Sequence, residues 1–368
     1  MKNNSLLILL IFTNFYSFSQ NYEFETTVDV ETTDVISQGN TGTCWSFSAS
    51  SFLESEITRL TGKQIDLSEM YTVRHTYSDK AWTYVMRQGK AQFSQGGLAH
   101  DVINSVYRYG LVPNEVYSGL AHGQKKHNHS KLADSLTTVL KTYLNDTKVY
   151  PTNWKNDVEQ TLDFYLGKDI TTFTYNNKQY TPQSFLEMTT LNPKDYVTIT
   201  SFTHQPYYSN FVLNIPDNFS NGDFYNVTLD DLVAITNDAL KNGFSIELDC
   251  DVSEKTFSSK HGLAIVPADG SSDALIYLST EKDITAAYRQ QEFENFNTTD
   301  DHLMHITGML KDQNGTTYYK VKNSWGKTGV RNDGYIYMSE AYFKLKTISI
   351  LIHKDAVPNA IKGKLDLN

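Results

Sequence analysis

Hydrophobic positions recur at helical spacing just after Cys44: Ala49, Phe52, Leu53, Ile57 and Leu60, with Gly62 as a stop. This predicts a helix over about 44–61. Its polar positions are Ser46, Ser48, Ser50 and Ser51, which are poor helix formers. A serine-rich helix implies close packing, so it is expected to be the buried central helix of a lobe. Leu67 to Met70 starts a second helix, with Ser68 as cap, and a third runs from about His100 to Tyr109 and stops at Gly110. Residues 131–165 read as mostly helical. Residues 170–230, rich in Tyr, Asn and Thr, read as short strands and turns. Val233 to Leu240 is a short helix ending near Gly243. Phe244 to Cys250 then alternates apolar and polar, as a half-buried strand does, with Cys250 on the face of Ile246 and Leu248. Asp300–Gly308 and Tyr318–Gly326 read as strands joined through Lys311–Gly315.

The N-terminus breaks this amphipathic pattern. Residues 1–19 carry a basic Lys2, an apolar run from Leu6 to Phe12, and small residues at Ser17 and Ser19. That is the pattern of a secretory signal peptide cut near Gln20, so a secreted or periplasmic protein is expected. The run is too short to span a bilayer. Residues 20–37 are polar and extended. No internal repeat or low-complexity tract follows.

Composition narrows the function classes. The 368 residues are 39% hydrophobic and 13% aromatic, enough for a substantial core, and the net charge of −10 argues against nucleic acid or an anionic membrane as partner. The two cysteines, Cys44 and Cys250, form no CxxC pair, which excludes a zinc ribbon, and a disulfide is not expected. His122, His127 and His129 cluster between 118 and 130 without a carboxylate or cysteine at ligand spacing; a solvated loop is expected rather than a metal site, and no cofactor is implied.

The chemistry centres on residues 38–47, Gln-Gly-Asn-Thr-Gly-Thr-Cys-Trp-Ser-Phe. A thiol at the first turn of a helix is favoured as thiolate by the helix amides and dipole. Such a nucleophile needs a base and a group that orients the base. His302 and Asn323 are the candidates, one on each strand of the hairpin. A tight two-residue Asn314–Gly315 turn would leave them about four residues, roughly 13 Å of strand, out of step. Facing each other requires a loop of about four residues near Lys311–Asn314, and that longer loop is expected. Gln38 can turn back over Gly39 and Gly42 so that its amide and the Cys44 N–H form an oxyanion hole. The Gly96–Gly97 pair permits close backbone approach by a ligand.

These blocks together resemble the papain-like cysteine peptidases: Gln38-Gly-x3-Thr-Cys44-Trp45-Ser-Phe, Asp301-His302, and Asn323-Ser324-Trp325-Gly326. Within that superfamily the chain is similar to the bleomycin hydrolase and aminopeptidase C branch. The likeness rests on His302-Leu-Met-His-Ile-Thr-Gly308, Leu248-Asp-Cys-Asp-Val252, Ser259-Lys-His-Gly-Leu263, Tyr109-Gly-Leu-Val-Pro113 and Lys178-Gln-Tyr-Thr-Pro182. The resemblance implies Cys44 as nucleophile, His302 as general acid and base, Asn323 as its orienter, and Gln38 as oxyanion donor. It also implies Trp45, Trp325, Gly96 and Gly97 as substrate-binding residues, with Trp325 shielding the Asn–His bond. His305 lies on the opposite strand face from His302, and the HxMxxTG spacing selects His302. Thr41 stands where secreted papains carry a disulfide cysteine. The branch's longer C-terminal arm, which enters the cleft and imposes aminopeptidase action, is shortened here to a few residues beyond Ile361.

The expected fold is α+β, papain-like and two-lobed. A helical lobe (about 38–165) around the Cys44 helix packs on an antiparallel β-barrel-like lobe (about 240–355), with an insertion at about 166–239. The expected activity is that of a secreted cysteine peptidase acting on peptides, of the aminopeptidase C and bleomycin hydrolase type, with monomer and homo-oligomer both open. The alternatives are a papain-like endopeptidase, an acyl-transferase of the same fold, and a non-catalytic binding module on the peptidase scaffold.

Overall fold

A computed structural model describes residues 21–145 and 153–367. The proposed leader, 1–19, lies outside them. The helices are α1 (Cys44–Thr61), α2 (Glu69–Met86), α3 (Ala99–Tyr109), α4 (Ser130–Asn145), α5 (Trp154–Leu166), α6 (Pro182–Thr189), α7 (Leu229–Lys241), α8 (Ala286–Glu294), α9 (Glu340–Lys346) and α10 (Asn359–Leu365). The strands are β1 (Phe24–Asp29), β2 (Phe173–Tyr175), β3 (Lys178–Tyr180), β4 (Tyr196–Thr200), β5 (Ser209–Val212), β6 (Asp223–Asn226) and β7 (Ile246–Cys250). They continue with β8 (Phe257–Ser258), β9 (Leu263–Ala264), β10 (His302–Asp312), β11 (Thr317–Lys322), β12 (Tyr335–Ser339) and β13 (Thr347–His353).

Local chemistry accounts for the boundaries. Gly62 ends α1 in the left-handed region at φ 69°, where a side chain would be strained. The Ser68 hydroxyl accepts from the Tyr71 amide and starts α2. The Thr228 hydroxyl accepts from Asp231 and starts α7, so this helix begins ahead of Val233. Thr181 and the following Pro182 start α6 inside a region whose composition suggests only strands and turns.

One large sheet runs β5-β6-β4-β13-β7-β10-β11-β12-β9-β8. It is mixed rather than wholly antiparallel, because β4 pairs β6 and β12 pairs β9 in parallel. The long β10 shares one edge between two partners: its first half pairs β7 and its second half pairs β1. Residues 196–226 are part of this same sheet.

Helices α1 to α6 bury one core with Leu303, Ile348 and Leu351 of the sheet, and α7, α9 and α10 bury a second core with Ile246, Leu248, Cys250, Met304 and Ile306. Strand β7 is therefore covered on both sides, and every residue from Ile246 to Cys250 is buried. The alternation that suggested a half-buried strand instead places Glu247 and Asp249 inside. The serines of α1 explain themselves here. Ser46 donates to the Glu69 carbonyl, Ser48 to Glu247, and Ser55 to the Glu31 carbonyl, while Ser51 meets His305 at 2.9 Å. Small hydroxyl side chains let α1 approach its neighbours closely and pair their polar groups.

Candidate active site

Cys44 opens α1 and is buried, with 8% of its surface exposed. The backbone amides of Leu303 and Trp45 lie close enough to its sulfur to favour the thiolate, which places it beside the first residues of β10. Burial pushes the thiol up to about 12, against these two amides, and the Asp300 carboxylate adds to the rise. Burial thus opposes the thiolate that a helix N-terminus alone would favour.

His302 begins β10 and is buried. Its Nε2 lies 2.8 Å from the Asn323 Oδ1. The Ser324 amide donates to that same Oδ1 at 2.7 Å, which fixes it as the acceptor. Nε2 must then carry the proton, and Nδ1 keeps the lone pair. Burial lowers His302 to about 4, while the Asn323 bond raises it. Trp325 lies over the imidazole with ring centroids 4.6 Å apart and is 43% exposed, so it covers one side of the His302 ring and is itself partly open to solvent.

The hairpin reaches this pairing differently from the expectation. Asp312 and Thr316 close a three-residue loop: the Asp312 amide donates to the Thr316 carbonyl and the Gly315 amide to the Asp312 carbonyl. Gly315 takes φ 83°. The loop is neither the tight two-residue turn nor the four-residue loop. An irregularity between Ile306 and Gly308 then sets His305 opposite Lys322. In that register His302 lies beyond the end of β11. The side chains meet because the chain leaves the strand at Asn323. There the Gln38 amide donates to the Ser324 carbonyl, the Gly326 amide donates to the Ile36 carbonyl, and Ser37 bridges Trp325.

Gln38 is buried and its side chain folds onto its own turn. Its Nε2 donates to the Thr41 carbonyl at 2.7 Å, and its Oε1 accepts from the Ser324 hydroxyl at 2.5 Å. The second N–H of the side-chain amide makes no hydrogen bond among the described residues. Trp45 is only 1% exposed, so it sits beneath the cleft rather than in contact with a substrate. Its indole donates to the Gln95 carbonyl at 2.9 Å, and Gly97 packs on the indole face closely enough that a Cβ would touch it. The Gln95 side chain accepts from the Gly42 amide at 2.7 Å. The Gly96–Gly97 pair is thereby tied to both the Gln38 turn and the Cys44 helix.

His305 is placed apart from this group, with Nδ1 2.9 Å from the Ser51 hydroxyl on the α1 side of the sheet. Burial and the Lys322 charge hold it well below its ordinary pKa. Lys322 is buried and donates to Ser51 and Thr33, and Thr33 donates to Glu54. Glu54, raised by burial to about 7, and Glu69 face Lys322 across a cavity of about 230 Å³ that also reaches Asn323 and Ser324. Glu54, Asp66 and Glu69 hold carboxylate oxygens within 4.8 Å of one another. The Lys322 ammonium supplies there the charge a cation would.

The histidine-rich loop is not simply solvated. His129 is buried and lowered to about 4, His127 packs edge-on against Phe47, and the His127 carbonyl accepts from the Asn40 amide. The loop braces the Gln38 turn; a Cβ at Gly39 would collide with the His127 backbone. Among residues the sequence reading overlooked, Ser324 could have been found from its place between Asn323 and Trp325. Glu247, Asp249 and Asp217 carried no signal of burial beside the site.

Comparison with known proteins adds an independent line. Residues 84–368 match the model of the Peptidase C1-like family. Cys44 and Gln38 precede that stretch, but longer alignments include them. Aminopeptidase C of Listeria monocytogenes is 24% identical over 89% of this chain and 81% of that protein. Cysteine proteinase 1, mitochondrial, of Saccharomyces cerevisiae is 24% identical over 94% of this chain and 79% of that protein. The crystal structure of PepW from Lactobacillus rhamnosis superposes with a TM-score of 0.73 at 19% identity, over 93% of this chain and 84% of that one.

Proposed function

Since this chain belongs to the Peptidase C1-like family, we propose that it is a thiol peptidase whose nucleophile is Cys44, with His302 as acid and base and Asn323 as the group that orients it. The observation that carries this reading is the 2.8 Å His302–Asn323 pair at the start of β10, where the next residue, Leu303, turns its amide towards the Cys44 sulfur. A non-catalytic scaffold has no need of a buried histidine held in the tautomer that leaves Nδ1 free to take a proton.

The reaction follows from the protonation states. A peptide carbonyl enters beside Cys44. The Sγ proton passes to His302 Nδ1 as the sulfur attacks the carbonyl carbon, so charge forms only as the S–C bond forms. The Cys44 N–H and the Gln38 amide stabilise the oxyanion. Imidazolium returns its proton to the amide nitrogen, the C–N bond breaks, and the amine leaves. A water then gives its proton to Nδ1 and attacks the thioester, releasing the acid and restoring the thiol. Asn323 keeps Nε2–H engaged throughout and stabilises the imidazolium. The names of the relatives, which include aminopeptidases, support peptides with free N-termini as substrates, and the apolar run at Leu6–Phe12 supports export from the cytoplasm.

The test is hydrolysis of fluorogenic peptides by the mature chain and by Cys44→Ala. Loss of turnover in the variant with its melting temperature retained supports the reading. Turnover that survives the substitution overturns it.

A further inference from the structure

Three carboxyl groups meet where α1 turns back into α2. Glu54 stands on α1, Glu69 opens α2, and Asp66 lies in the connection between them. The Leu67 amide donates to Glu54 at 2.9 Å and the Ser68 hydroxyl caps α2, so the run from Asp66 to Glu69 is folded onto the side of α1. Carboxylate oxygens of the three residues lie within 4.8 Å of one another, on the wall of the cavity of about 230 Å³ that reaches Asn323 and Ser324. Glu54 and Glu69 are only 3% and 4% exposed, whereas Asp66 is at the surface. Two of the groups are therefore inside, and the third stands at the rim.

Their neighbours answer only part of this charge. Glu54 accepts from the Leu67 amide and from the Thr33 hydroxyl, and Asp66 accepts from the Asn114 side chain at 3.0 Å. The Glu69 carboxylate, buried and facing the cavity, receives no hydrogen bond from any other described residue. A buried carboxylate left in that state is costly. Burial, and after it the Glu54 charge, hold the Glu69 carboxyl well above its ordinary pKa. Lys322 lends one positive charge to the cluster. It stands beyond ion-pair distance from all three carboxylates, and it gives N–H groups to Ser51 and Thr33 instead. Three carboxylates against one ammonium leave two negative charges, the charge that one divalent cation balances.

We propose that Glu54, Asp66 and Glu69 bind one calcium ion, which ties α1 to α2 at the cavity reaching Asn323. The donors are all carboxylate oxygens, which suit a hard cation and not zinc or copper. The spacing suits calcium, whose oxygen ligands lie at about 2.3–2.6 Å, so that two on opposite sides stand about 4.8 Å apart. Magnesium, at about 2.0–2.1 Å, would need the three groups drawn closer together. Asp66 at the rim gives the ion its way in, and water fills the positions the three residues leave open. The ion is structural and enters no step of the peptidase reaction. Weak calcium sites of extracellular proteins bind at about 10⁻⁴–10⁻³ M, a range that suits the export proposed above.

The experiment strips the mature chain with EDTA and titrates it with calcium chloride by calorimetry, beside Glu69→Gln and Asp66→Asn. The unmodified chain is expected to take up one calcium ion with a Kd of about 10⁻⁴–10⁻³ M, and to melt about 2–5 °C higher with calcium near saturation. Glu69→Gln should abolish the uptake. Asp66→Asn changes an exposed side chain, so it keeps the test open should the buried variant fail to fold; it should weaken binding by at least about tenfold and remove the rise in melting temperature at the same calcium concentration. No saturable uptake by the stripped chain up to about 10 mM calcium, ten times the weak end of that range, overturns the proposal. Uptake undiminished in Asp66→Asn also overturns it, by placing the ion elsewhere. Neither readout uses peptide hydrolysis, so the calcium site and the peptidase reading stand or fall separately.

Discussion

His302 and Asn323 are joined by a 2.8 Å hydrogen bond although the register of their strands does not set them opposite each other. The bond depends on Asn323 leaving the strand. Asn323→Ala removes a partner that raises the His302 pKa, so the imidazole should titrate below its present value of about 4. The acid limb of Cys44 alkylation should move to lower pH. Removing a hydrogen bond to a group charged in the transition state costs about 1.5–3 kcal/mol, or roughly ten- to hundredfold in kcat/KM. Steady-state kinetics and the alkylation profile read the two effects separately.

Gln38 and Ser324 form the second test. Gln38→Ala should lower kcat by about 10²–10³-fold, as expected for loss of an oxyanion donor. Ser324→Ala leaves the amide in place but frees Oε1, which the serine hydroxyl now holds at 2.5 Å. Its effect should be smaller, about fivefold, matching one neutral hydrogen bond of roughly 1 kcal/mol. A Ser324→Ala loss as large as that of Gln38→Ala would show that the serine does more than hold the glutamine.

The helical half of the site was readable because capping and periodicity are local. Gly62, Ser68 and Gly110 bound their helices where expected. The hairpin register was not readable. It is set by a three-residue loop, an irregularity near Thr307, and long-range bonds from Ile36 and Gln38 to Ser324 and Gly326. The acidic residues of β7 were misread for a related reason. Alternation reports one apolar face, and only tertiary contact with Ser48 shows that Glu247 is covered as well.

Those buried groups give opposing pH dependences. Glu247 sits at about 8 through burial, above its unfolded value near 4.5, so the folded state holds an extra proton between these limits. Its contribution is fully present below about 4.5 and is lost as pH rises towards 8. His129, at about 4 against 6.5 unfolded, works the other way, and its contribution is lost as pH falls from 6.5 to 4. Thermal melts across pH 4–9 should show Glu247→Gln flattening the alkaline side and His129→Gln the acid side.

Lys322 links the sheet to α1 through Ser51 and, by Thr33, to Glu54. Lys322→Met removes the cation but leaves Glu54 and Glu69 buried together. Leaving the hydroxyls and carboxyls that face Lys322 without it costs about 1–3 kcal/mol. Urea unfolding should show that loss, and adding Glu54→Gln should recover part of it. A double variant no more stable than Lys322→Met would argue that the two groups are uncoupled.

The account stands on Cys44 as the attacking atom. The most direct measurement is acid-quenched mass spectrometry of the full chain during turnover of an activated ester, followed by peptide mapping. The acyl group is expected on Cys44, absent from the buried Cys250, and lost in His302→Ala. An acyl group on any other residue, or turnover by Cys44→Ala at the unmodified rate, would contradict the account.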